Sequence, residues 1–93
     1  ANFRHIARAH NVHAVIIRLR DLFAIDYEGL EMLDEAIREL DTHGKKVLLS
    51  SASETLLREL ETMPMTHLLR ERKAIFSKTK DALHHVHPRY ATT

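Results

Sequence analysis

The stretch VHAVIIRLRDLFAIDYEGLEMLDEAIRELDTHG, residues 12–44, decides the fold. Its opening residues, Val12 to Leu19, hold the β-branched run Val15-Ile16-Ile17, which suits a strand covered on both faces. Leu30, Leu33, Ile37 and Leu40 then recur at the spacing of one helical face. The period changes between Leu22 and Asp26. Asp26 is placed to cap the helix, because a carboxylate there accepts the free N–H groups of the first turn, and Glu28 adds negative charge at the positive end of the dipole. Gly29, early in the helix, leaves room for another backbone or a partner to come close. His43-Gly44 closes the helix with a cation-capable side chain and a residue suited to left-handed backbone. Strand, acidic turn and helix follow in order, and the turn is the expected working end.

Upstream, Phe3, Ile6, Ala7 and His10 share a face that predicts a short helix starting near residue 2. Downstream, Lys45 to Ser50 reads as a second strand, and Ser51-Ala-Ser-Glu54 has the spacing of a capping box. Leu56, Leu57, Leu60 and Met63 give the next helix its core face, which Pro64 is expected to end. Met65 to Lys73 carries no clear period and reads as a solvated loop, with Arg70, Arg72 and Lys73 as its basic cluster. Ala74-Ile75-Phe76 reads as a third strand. Ser77 is expected to cap a last helix carrying Ala82, Leu83 and Val86, with Pro88 at its end.

The alternation predicts an α/β fold, a small sheet of mainly parallel strands joined by right-handed helical crossovers. A three-stranded sheet that begins with a helix leaves an edge open, so one or two N-terminal strands are expected to lie outside this chain. Residues 1–87 read as one domain and 88–93 as a flexible tail.

Composition narrows the function. The 93 residues allow one modest core, and 44% apolar content with two Gly and two Pro suits a compact unit. Fourteen basic and 13 acidic side chains give a formal charge of +1, too little to drive nucleic-acid binding. Cysteine is absent, which removes disulfides, thiol catalysis and cysteine-rich zinc sites. No segment has the apolar length to insert directly into a membrane, and the start lacks a signal pattern. No nucleophile elbow, Walker loop or zinc-protease motif is present, and Asp26 and Glu28, two apart on a helix start, point in different directions, so catalysis is not expected. His84, His85 and His87 lack a fourth ligand at set spacing, so neither a metal nor a cofactor is expected.

Val15-Ile-Ile-Arg-Leu19, Ala24-Ile-Asp-Tyr-Glu-Gly-Leu30, Gly44-Lys-Lys-Val-Leu-Leu-Ser50, and Ile75-Phe76 leading to Asp81-Ala82-Leu83 together resemble the STAS domain, from Asn2 to Val86. This module is shared by SulP-type anion transporters and bacterial anti-sigma factor antagonists. The Ile75-Phe76 and Asp81-Ala82-Leu83 ending is more similar to the transporter branch, and Ala1-Asn2-Phe3 looks like the residues just after that branch's strand before the first helix. The antagonists carry Asp-Ser-Ser/Thr-Gly, whose hydroxyl before the glycine is the phosphorylation switch. Here that position is Glu28, with Tyr27 before it. Glu28 cannot accept phosphate, and it supplies about one negative charge where phosphoserine supplies roughly 1.5 to 2.

The resemblance implies a noncatalytic cytoplasmic regulatory domain of a SulP-type sulfate/anion transporter, on the cytoplasmic side of the bacterial inner membrane. Its partner would be the membrane portion of the same transporter or a soluble regulatory protein. The alternative is a soluble anti-sigma factor antagonist that switches partners without the usual Ser/Thr phosphoacceptor. The expected partner surface is Asp26, Tyr27, Glu28 and Gly29, continued along an outer helix face of Glu31, Asp34, Glu35, Arg38 and Glu39. Ser50, Ser51 and Ser53, at the next strand-to-helix junction, are candidate contacts for an anion or nucleotide phosphate through their hydroxyls and free helix N–H groups. At the acidic turn capping explains the residues as well as binding does, and the two can coexist; at the serines capping is the favoured reading, because Ser51 already has Glu54 as its box partner.

Overall fold

Three short apolar runs become parallel strands, β1 Ala14–Arg18, β2 Lys46–Ser50 and β3 Ile75–Phe76, in the order β1-β2-β3. A computed structural model describes residues 3–22 and 24–86, of which Phe3 and Arg4 are described in the backbone alone. Val15 lies opposite Val47 and Arg18 opposite Ser50, while Leu49 and Ser50 face Ile75 and Phe76. Parallel neighbours cannot be joined by tight turns, so each connection crosses over through helix. The helices are α1 Phe3–Arg8, α2 Tyr27–Thr42, α3 Glu54–Leu60, α4 Pro64–Glu71 and α5 Thr79–Val86. Helix α2 packs on β2 and against α1 and α4, whereas α5 crosses all three strands. The α/β reading therefore holds, with every strand pair parallel.

The core lies around β2, whose Val47, Leu48, Leu49 and Ser50 are all buried among Ile37, Leu40, Leu56, Leu60 and Leu69. This is the strand covered on both faces. Val15, Ile16 and Ile17 of β1 are only half-buried, because among the described residues no strand pairs with its outer edge. Lys45 ties the α1–β1 turn to the start of β2 by donating from Nζ to the Ala9 carbonyl. Gly44, at φ 77°, ends α2 in the left-handed backbone its sequence position predicts.

Pro64 does not end the third helix. Helix α3 stops at Leu60, and Pro64 opens α4, where its missing N–H is one that a first helical turn leaves unbonded anyway. Most of Met65 to Lys73 is therefore helix, not loop, with Met65, Thr66 and Leu69 turned into the core. The basic cluster becomes the last turn and cap of α4, at the negative end of its dipole. Arg70 pairs with Glu61, and Arg72 with Asp41 at 2.7 Å.

The expected capping box does not form. Ser53, not Ser51, caps α3: its Oγ accepts from the Leu56 N–H at 3.1 Å, while Ser51 takes a left-handed backbone at φ 62°. Helix α5 begins at Thr79, two residues beyond Ser77. Pro88, His87 and the expected tail 88–93 lie outside the described residues.

Candidate functional site

A parallel sheet sends all its strand-to-helix junctions to one end. Here those junctions are the loop from Leu19 to Asp26, the turn from Ser51 to Ser53, and Ser77-Lys78. The first is the acidic turn. Asp26 is extended at φ −84° and ψ 174°, and its Oδ1 accepts from the Gly29 N–H at 2.8 Å. A Cβ on Gly29 would stand 2.8 Å from Ile25 Cγ1 and 3.2 Å from Asp26 Oδ1. The room that glycine frees is thus filled by the chain's own preceding residues. Ile25 and the buried Leu30 occupy the two positions of a hydrophobic staple around this cap. Asp26 and Gly29 form the frame of the turn, and Tyr27 and Glu28 are presented outward from it.

Along α2 the sequence separates two faces. Leu30, Asp34, Ile37 and Leu40 are buried, while Tyr27, Glu28, Glu31, Met32, Glu35 and Arg38 are exposed. At about 100° per residue, Glu28, Glu31 and Glu35 fall between Tyr27 on one flank and Met32 on the other. Tyr27 is 69% exposed and Met32 66%. Among the described residues these three glutamates have no ion-pair partner. Glu39 lies nearer the protein, its carboxylate 4.0 Å from His43 Nδ1.

Asp34 corrects the expected outer face, for it is only 7% exposed. Its Oδ1 accepts from the backbone N–H of Met65 at 2.8 Å, and its Oδ2 from Arg38 at 3.1 Å. Met63, the residue before α4, has no side-chain oxygen to cap that helix, so an acid on α2 caps it instead. Arg72 and Asp41 fasten the same two helices farther along, by equal sequence steps on each, so α2 and α4 run side by side in one direction. The spacing held the signal: Asp34 is four residues after Leu30 and three before Ile37, on the buried phase.

Each of the three serines has a hydrogen-bond partner within the chain. Buried Ser50 has its Oγ 2.8 Å from Thr79 Oγ1, and Ser51 Oγ lies 3.2 Å from the same oxygen. The Ser51 N–H donates to the Phe76 carbonyl at 3.0 Å, and Ser53 caps α3. The structure thus gathers Ser50 and Ser51 around Thr79, the first residue of α5. Among the described residues, no group of three or more His, Asp or Glu stands close enough to hold a metal ion. His85 lies against Phe76, ring centroids 5.3 Å apart.

A family model described as STAS domain matches residues 2–82. No curated protein matches the chain.

Proposed function

The chain belongs to the STAS domain family, and on that premise we propose that it is a noncatalytic regulatory and protein-interaction domain of a SulP-type sulfate/anion transporter, on the cytoplasmic side of the bacterial inner membrane. The observation that carries this reading is the outward face of α2. A helix face left to water ordinarily needs no large apolar side chains, yet Tyr27 and Met32 stand about two-thirds exposed on either flank of unpaired glutamates. Aromatic residues and methionine are the types enriched at protein interfaces.

Chemistry at the turn argues for contact and against catalysis. The Asp26 carboxylate is engaged as a helix cap, which leaves Glu28 as the outward acid at the position where the antagonists carry a phosphoacceptor. Regulation then works through contacts made against a constant charge. The partner is the membrane portion of the same transporter. Among the described residues no helix is long and apolar enough to cross a membrane.

Anion uptake by the full-length transporter tests the proposal. Tyr27→Ala combined with Met32→Glu is expected to change uptake, while each substitution, being at the surface, shifts domain stability by no more than about 0.5 kcal/mol. Unchanged uptake overturns the assignment of this face as the regulatory contact. The upstream reading frame separates the transporter reading from a soluble anti-sigma factor antagonist, since each membrane span needs about 20 apolar residues.

A further inference from the structure

Beside β3, between the start of α3 and the end of α4, lies an open cavity of about 730 Å³. Pockets for small molecules commonly enclose about 300–1,000 Å³ and combine apolar walls with a few placed polar groups. Leu57, Ile75 and Phe76, all half-buried, form the apolar wall. The polar groups are Lys73, Arg70 and Glu54. Lys73 takes a left-handed backbone at φ 58° just after α4, a position where glycine is usual because a Cβ is strained there. Its N–H donates to the Arg70 carbonyl at 3.0 Å, which fixes the lysine at the cavity rim. Among the described residues its ammonium has no ion-pair partner. Arg70 gives one guanidinium nitrogen to Glu61 and keeps further donors. Glu54, now the first residue of α3 and not the third after its cap, likewise has no ion-pair partner among the described residues.

We propose that this cavity binds a small organic monoanion with an apolar ring body. The ring lies on Leu57, Ile75 and Phe76, and the carboxylate meets Lys73, with Arg70 adjoining. Glu54 on the same cavity disfavours a polyanion by like-charge repulsion. No wall residue comes from α2, so the site is independent of the partner face proposed above.

The test is an amide NMR titration of the 93-residue chain with 1-naphthoate, using 1-naphthalenemethanol as the uncharged control and ATP as the polyanion. Naphthoate is expected to give saturable shifts confined to residues 52–57 and 70–77, with a Kd on the order of 1 mM for so small a ligand. Lys73→Gly is expected to raise the thermal midpoint, because glycine takes the left-handed position freely, and yet to weaken naphthoate about fivefold or more. That opposition separates loss of the site from loss of the fold. Glu54→Gln is expected to tighten binding. Equal binding of the alcohol, tighter binding of ATP, shifts spread over the chain, or wild-type affinity in Lys73→Gly each overturns the proposal.

Discussion

Replacing Asp34 with alanine removes the carboxylate that joins α2 to α4. Its loss strips α4 of a cap, typically about 1 kcal/mol and up to about 2. It also leaves the N–H of Met65, a buried residue, without its acceptor, at about 1–3 kcal/mol. These two costs describe the same broken bond and do not add in full. Arg38 loses its partner as well, but its side chain is 54% exposed, so that pair contributes about 0–1 kcal/mol. The net expectation is about 2–3 kcal/mol. For a domain of this size each kcal/mol moves the midpoint by about 4–8 °C, which places the Asp34→Ala transition roughly 10–20 °C below wild type. Asp34→Asn keeps an acceptor oxygen and is expected to cost about 1 kcal/mol. Glu35→Ala, one residue on and exposed, serves as the control, within about 0.5 kcal/mol of wild type. Thermal and urea unfolding by circular dichroism read all three. An Asp34→Ala variant no less stable than Glu35→Ala would refute the assignment of Asp34 as the cap of α4.

Gly29→Ala places a Cβ against Ile25; overpacking of about 1–3 kcal/mol outweighs the helix-propensity gain of about 0.5–1 kcal/mol, so a net loss near 1 kcal/mol is expected in urea unfolding. Ser53→Ala is expected to cost about 1 kcal/mol and Glu54→Ala less than about 0.5; the reverse order would restore the capping box at Ser51. Thr79→Val leaves the buried Ser50 hydroxyl without a partner and is expected to cost about 1–3 kcal/mol, read from the unfolding midpoint. Helix α1 packs against α2, which lies on β2, so with α1 on that same face a right-handed crossover carries any strand preceding α1 to the outer edge of β1. His13 and Leu19 bond toward β2, so by alternation Ala14, Ile16 and Arg18 point outward, and their amides are expected to gain hydrogen-exchange protection when the chain is extended upstream.

The parts of the fold legible in the sequence were those whose cause is local. Asp26 caps the residue three positions on, Gly44 answers the end of one helix, and Val47-Leu48-Leu49 is apolar on both strand faces. What was hidden depends on partners far along the chain. Helix α4 is short, its first residue is a proline normally read as a stop, and its cap comes from Asp34, 31 positions away. Ser51 fits a capping box by spacing, but hydrogen bonding between the β2 and β3 ends puts it in a left-handed turn where it cannot serve as that cap. At the site, the frame of Asp26 and Gly29 was readable, while the exposure of Met32 and the burial of Asp34 followed from helical phase that the charges alone obscured. Thr79 had no signal of its own, because its role is set by the two serines it meets.

The outward face of α2, with Glu28 as a fixed charge, is the proposed place where the partner binds. Placing a photoreactive benzoylphenylalanine at Tyr27 or at Met32 in the full-length protein in cells, with exposed Arg58 on α3 as the control position, tests it most directly. A cross-link to the membrane portion of the same transporter is expected from positions 27 and 32, and none from position 58. Cross-linking from position 58 alone, or equal labelling at all three positions, would contradict that placement.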